Sequence, residues 1–318
     1  MDVILHLGAH RCATTTLQMY LARNAAALAR AGIAIWTPDR TRGGLFAGLV
    51  QRPQDITLAD ERLAHRSMGV IAVETGRLEQ AGTRRLIVSE ENMLGTLPNN
   101  LREGALYPLL DKRARRFRAA FGPRVRGLAL AIRSYEGYWS SALAFAVAQG
   151  RPMPTAAQVA ALVDTPRGWR AVIAEIASGF PGVPLTVWPF EALASRPEAQ
   201  LALLDPGLQL LNATGARDRL NPAPGRDKLR TLMRLRGDIA SMATLPDGDG
   251  RWTPFDARAQ AELRARYAAD LEWLASGADG LAQWAGPVHN GDERTGDGWH
   301  LPATPDRRGH HERERQMV

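Results

Sequence analysis

Residues 3–18 read Val-Ile-Leu-His-Leu-Gly-Ala-His-Arg-Cys-Ala-Thr-Thr-Thr-Leu-Gln, and this stretch decides the fold. The apolar run Val3 to Leu7 stops at Gly8, and a short polar loop leads into Thr14-Thr15-Thr16. From Leu17 the apolar spacing becomes helical, through Tyr20, Leu21 and Leu28. The pattern predicts a strand, a tight turn and a helix N-terminus. Such a turn presents free backbone N–H groups and the positive end of a helix dipole, which together hold an anion. Arg11 and the three threonine hydroxyls add donors suited to phosphate or sulfate oxygens.

What the loop lacks narrows the anion. A loop for nucleoside triphosphates reads G-x-x-x-x-G-K-[ST], its lysine reaching the terminal phosphates. Here that spacing gives Gly8, Ala13, Thr14 and Thr15, without the second glycine or the lysine. This argues against an ATPase or kinase, and a P-loop kinase of a small metabolite stays open on the strand–loop–helix alone. A cysteine-based phosphatase loop needs an arginine closing the loop after the cysteine, but after Cys12 none comes before Arg23.

The same residues resemble the first loop of the bacterial sulfotransferases of the P-loop sulfotransferase superfamily, roughly G-x-H-K-[ST]-G-T-T-S-L-Q. Gly8, His10, Thr14, Thr15, Leu17 and Gln18 agree, while Arg11, Cys12 and Ala13 replace lysine, Ser/Thr and glycine. A second segment strengthens the resemblance. Residues 126–132 read as a buried strand ending at Arg133, Ser134 stands as an N-cap, and Tyr135, Trp139, Ala142 and Ala146 follow at helical spacing. Ser141 lies eight residues after Arg133, the family's spacing for the arginine and serine that bind the 3′-phosphate of 3′-phosphoadenosine 5′-phosphosulfate (PAPS). Two weaker matches are Ser89-Glu90-Glu91-Asn92 after Leu86-Ile87-Val88, and Trp252-Thr-Pro-Phe255 leading into a helix with Leu263, Tyr267, Asp270 and Leu271.

The resemblance implies a PAPS-dependent enzyme that passes a sulfuryl group to a hydroxyl or amine, leaving PAP. It places His10, Arg11, Cys12, Ala13, Thr14, Thr15 and Thr16 around the 5′-phosphosulfate, and Arg133 with Ser141 on the 3′-phosphate. Arg11 takes the lysine's place; it keeps its proton and stabilises the leaving group by charge rather than as an acid. Glu91 is the first candidate for the base, with Glu90 and His10 behind it. No metal is implied. The bacterial relatives suggest a saccharide or other cell-surface precursor as acceptor. A binder of PAP, PAPS or an anionic glycan with the same fold remains an alternative, on Arg11 and Ala13.

The remaining sequence is consistent with one α/β domain over 1–285: a central, mostly parallel sheet flanked by helices, with the P-loop-like strand–loop–helix first. The chain has 318 residues, 45% of them apolar, enough to bury a large core. Ile33-Ala-Ile-Trp36 and Leu185-Thr-Val-Trp188 read as further strands, and residues 56–81, 103–120, 155–163, 167–178 and 227–243 as helices. Residues 286–318, with Arg307-Arg308-Gly-His-His-Glu-Arg-Glu-Arg, read as a solvated, disordered tail. No apolar run suggests a membrane span. The strand after Met1-Asp2 leaves no room for a secretory signal, and a single cysteine suits a reducing compartment, so the expected location is cytoplasmic. The net charge of +7 favours anionic partners. Arg113, Arg115, Arg116 and Arg118, with Phe117 as the single aromatic among them, read as a solvated helix face, not a nucleic-acid surface. The histidines show no metal-ligand spacing beyond the tail pair His310-His311.

Overall fold

In the computed structural model, which describes residues 1–208, 210, 213–216 and 223–287, the apolar runs form the middle of one sheet. Its strands are β1 (Asp2–His6), β2 (Ile33–Trp36), β3 (Arg85–Ser89), β4 (Val125–Ile132), β5 (Leu185–Pro189) and the short β6 (Gln283–Trp284). The order across the sheet is β2-β3-β1-β4-β5-β6, and every pairing is parallel. The sheet is thus wholly parallel where the sequence suggested mostly parallel, and β6 is an addition that no pattern announced. Parallel strands need covered faces, which is why β4 is buried without alternation from Leu128 to Ile132. Trp139, Trp169 and Trp188 are the largest fully buried side chains of the core. Each large apolar group buried this way contributes about 1.5–3 kcal/mol. No helix among the described residues is long and apolar enough to cross a membrane.

The topology puts a switch point beside β1. The chain leaves β1 for β2 and β3 on one side, then crosses to β4 and β5 on the other. In open parallel sheets, ligands bind in the crevice beyond the strands' C-terminal ends at such a point. The loops after β1, β3 and β4 carry Arg11, Glu91 and Arg133 to that edge.

Three sequence expectations are corrected by backbone chemistry. The helix expected over 103–120 is two helices, Leu97–Glu103 and Leu110–Phe121, broken by left-handed Gly104 and by Tyr107 and Leu109 flanking Pro108. Proline restricts the residue before it away from the helical region. The helix expected over 227–243 ends at Leu235 and resumes as one turn, Ile239–Met242, because Gly237 is left-handed. Ser134 does precede the helix Tyr135–Ala148, but its side chain makes no cap bond; its backbone N–H donates instead to Glu191 at 3.1 Å. The tail, 288–318, and Asn221-Pro222 lie outside the described residues.

Two arginines of the basic helix act as a clamp, while Arg115 faces solvent as expected. Arg113 is buried, its Nη2 donating to the Gln51 carbonyl at 3.3 Å. Arg116 donates to the Gly48 carbonyl at 3.1 Å and pairs with Glu61. These bonds fasten the loop that carries Arg42 to the helix Leu110–Phe121, and Glu61 ties in the helix Leu58–Gln80, which Thr57 and Asp60 start with reciprocal capping bonds. Contact there is close: a Cβ on Gly48 would lie 2.1 Å from the Ala64 nitrogen. Gly48→Ala must therefore separate loop and helix, and we expect a loss of about 1–3 kcal/mol in denaturant unfolding. A variant as stable as the parent would show that this loop is free to move.

Candidate functional site

Gly8, at the end of β1, has φ +43°, and a Cβ there would meet the Thr14 side chain at 2.8 Å. The turn needs glycine at that point. Two further residues of the loop are left-handed without being glycine: Arg11 at φ 62° and Ala13 at φ 61°. Each costs about 1–2 kcal/mol in an L residue, which the surrounding contacts must offset. The turn closes through the Cys12 N–H on the Ala9 carbonyl at 3.2 Å and the Thr14 hydroxyl on the same carbonyl at 3.1 Å. Ala13 then opens the helix Thr14–Arg23, and its carbonyl accepts from the Thr16 N–H at 3.0 Å. The N–H groups of Thr14 and Thr15 have no acceptor within the helix and head a helix dipole at the cleft.

Loop and strand ends border a cleft of about 880 Å³. It brings together His10, Arg11, Ala13, Thr14, Thr15, Thr16, Glu91, Arg133 and Ser141, all expected from the sequence. Cys12 and Glu90, also expected there, do not line it. The Cys12 side chain is buried, its N–H is turned into the loop, and burial pushes its thiol well above the usual range. Glu90 is 1% exposed and occupied: Thr41 Oγ1 donates to it at 2.6 Å, Arg42 Nη2 at 2.8 Å and the Asn92 N–H at 3.0 Å.

On the β4 side, Arg11 and Arg133 converge. Arg133 Nη1 donates to the Arg11 carbonyl at 2.8 Å, while Arg11 Nε donates to Ser141 Oγ at 2.9 Å. Arg133 stacks on Phe190, with its guanidinium carbon 4.2 Å from the ring centre, and Arg11 lies 4.9 Å from that of Phe145. Arg133 is 6% exposed and makes no ion pair among the described residues, although the charges of Glu191 and Glu136 act on it from further away. Burial lowers the affinity of both guanidiniums for their protons, and for Arg11 the charge of Arg133 adds to this; arginine nevertheless keeps its charge in proteins. A desolvated cation costs several kcal/mol unless a counter-charge arrives. This wall of the cleft is set for an anion.

On the β3 side, Glu91 faces the cleft, held by Arg42 Nη2 at 2.7 Å and Gln18 Nε2 at 3.0 Å. Burial pushes its carboxyl up, but positive charge, that of protonated His10 at low pH and that of Arg42, outweighs it and holds the carboxyl below the usual carboxylate range. Burial also lowers His10, against the opposing pull of Glu91, leaving the imidazole neutral at pH 7. Its ring shares a hydrogen bond with the Tyr107 hydroxyl at 3.1 Å, which also accepts the His10 backbone N–H at 2.8 Å.

The sequence reading did not find Arg42, Tyr107, Glu191 or Arg251. Arg42 follows β2 in a turn with no regular period, and Tyr107 and Glu191 reach the site only through long-range packing. Glu191 accepts from the Ser134 N–H and, at 2.9 Å, from Tyr267 of the helix Ala257–Ala275. Asp270 of that helix accepts from Tyr135, so the closing segment braces the residues that follow β4. Arg251, beside Trp252, enters the cleft next to Arg133. The chain matches no protein-family model, no curated protein and no solved structure.

The strain at Ala13 gives a direct check. Glycine relieves the left-handed conformation but gains freedom in the unfolded chain worth about 0.4–1 kcal/mol. Ala13→Gly should leave stability unchanged or raise it by up to about 1 kcal/mol, whereas the same change inside a helix loses about 1 kcal/mol. Denaturant midpoints measure this, and a clear loss would show that Ala13 is not left-handed.

Proposed function

We propose that the protein is a sulfotransferase that takes a sulfuryl group from PAPS and passes it to a hydroxyl or amine. The observation that carries this reading is Arg133, a buried cation beside the anion loop that makes no ion pair among the described residues, with Glu191 and Glu136 acting on it only from beyond ion-pair distance. The loop and helix N-terminus suit the 5′-phosphosulfate. Arg133, with Arg251 nearby, suits a second phosphate on the same nucleotide. A donor with two separated anionic groups fits this pair of features better than a single phosphate does. Loop chemistry points the same way, because Ala13 and Thr14 stand where a triphosphate loop carries glycine and lysine.

The chemistry is an in-line displacement at sulfur. The acceptor oxygen or nitrogen forms a bond to sulfur as the bond from sulfur to the 5′-phosphate oxygen breaks, and that oxygen leaves with the electron pair. First-turn N–H groups and Arg11 stabilise the charge that grows there, as preorganised donors do. Arg11 cannot deliver a proton, so the leaving phosphate departs as an anion. The acceptor proton goes to Glu91, which is ionised at neutral pH and faces the cleft. His10 lies beside Glu91 and is neutral; Glu90 is committed to Thr41 and Arg42 and serves to hold Arg42 in place. Gln18 and Arg42 fix the Glu91 carboxylate.

Sulfate transfer from labelled PAPS to a panel of hydroxyl and amine acceptors tests the activity. Arg133→Ala should weaken PAP by about 1.5–3 kcal/mol, the worth of a hydrogen bond to a charged group, and barely change adenosine 5′-phosphosulfate, which lacks the 3′-phosphate. Equal losses for both ligands would give Arg133 a folding role instead. Glu91→Gln should cut turnover by about 10²–10⁴ with PAP affinity kept. Near-normal turnover would move proton transfer to His10, and binding of PAP without any transfer by the parent would make the protein a binder.

A further inference from the structure

The two halves of the cleft carry opposite charge. On the β4 and β5 side stand Arg11, Arg133 and Arg251; the one carboxylate lining it among the described residues, Glu191, is engaged by the Ser134 N–H and the Tyr267 hydroxyl, and Glu136 acts on Arg133 from outside the lining. On the β2 and β3 side stand Asp39 and Glu91, with one lining cation among the described residues, Arg42, shared between Glu91 and the buried Glu90. Asp39 follows β2, borders the cleft, is exposed and makes no ion pair among the described residues. Its neighbour Arg40 does not neutralise it, being paired with Glu74 at 3.0 Å. Three carboxylates against one guanidinium leave this half negative. The strand order makes the division a property of the fold, because β2 and β3 lie on one side of the anion loop and β4 and β5 on the other.

We propose that the β2–β3 half is the acceptor subsite and that Asp39 selects an acceptor bearing a protonated amine, such as an amino sugar, over a polyanionic one. This rests on the sulfuryl-transfer reading, which assigns the basic half to the nucleotide and leaves the acidic half to the acceptor. A negative wall attracts a cationic acceptor and repels an acidic glycan before either reaches the loop. Thr96, Leu97 and Pro98 continue the same wall with hydroxyl and apolar surface that suits a sugar ring. Glu91 is placed to take the acceptor proton. Asp39, set apart from it on the neighbouring loop, touches no reacting atom and acts on specificity alone.

The test is binding, so that it does not depend on turnover. A chitosan tetrasaccharide, its fully N-acetylated counterpart and a glucuronate-containing oligosaccharide are titrated into the full-length protein, each with and without saturating PAP. The amine form should bind about fivefold more tightly than the acetylated one, the scale of a solvent-exposed ion pair, and the acidic one least. Asp39→Asn should remove the amine preference, leave the acetylated form unchanged and keep PAP affinity. Asp39→Glu should restore the preference, separating charge from folding. Equal binding of amine and acetylated forms, or tightest binding of the acidic one, overturns the proposal. Failure of PAP itself to bind is a different result and counts against the sulfuryl-transfer reading.

Discussion

The Arg133 guanidinium, withdrawn from water at the end of β4 and bonded to the Arg11 carbonyl, is the constraint on which the site depends. Its position follows from the sheet. β4 pairs with β1 on one side and β5 on the other, so its last residue must emerge beside the loop that β1 feeds. The Arg133 carbonyl is fixed in turn by the buried Trp169 indole, at 2.8 Å. Loop and arginine are therefore held from opposite ends by the same core. A buried cation without an ion pair, as Arg133 is among the described residues, is unfavourable by several kcal/mol in a dry setting, and the carbonyl, the Phe190 ring and the more distant charges of Glu191 and Glu136 offset only part of it. An anion entering the cleft supplies what is missing.

The opposite wall is built by another route. There the ionic groups satisfy one another: Arg42 joins Glu90 to Glu91, Thr41 caps Glu90 from behind, and Gln18 ties Glu91 to the first helix. That network depends on the loop after β2, which Arg113 and Arg116 hold by its carbonyls. One wall is thus preorganised and internally neutralised in part, and the other carries charge that a ligand must balance. On the proposed sulfuryl transfer, these two features would serve differential stabilisation of the transferring group.

How much of this the sequence carried follows from the range of each interaction. The strand, turn and first helix were legible because their signals are local: an apolar run, Gly8, and a change of period at Leu17. The strand ending at Arg133 was legible for the same reason. Arg42, Tyr107 and Arg251 were not, since nothing within a few residues of them marks a site; they arrive through strand order and loop packing. Ser141 illustrates the limit. The resemblance put it beside Arg133, and it does line the cleft, but its partner there is Arg11 Nε, a contact across the fold that no spacing encodes. Arg113 shows the reverse error, a charged residue in a basic run that the packing of Gly95, Tyr107 and Gln51 takes into the core.

The central claim is that this edge of the sheet holds a nucleotide through two separated anionic groups. Calorimetric titration of the full-length protein with PAP, beside adenosine 5′-monophosphate and ATP with magnesium, tests it most directly. The account predicts one-to-one binding of PAP, tighter than the monophosphate by about tenfold or more, the worth of one charge-assisted hydrogen bond, and weakened by added salt. Equal affinity for PAP and the monophosphate, or a clear preference for ATP with magnesium, would contradict it.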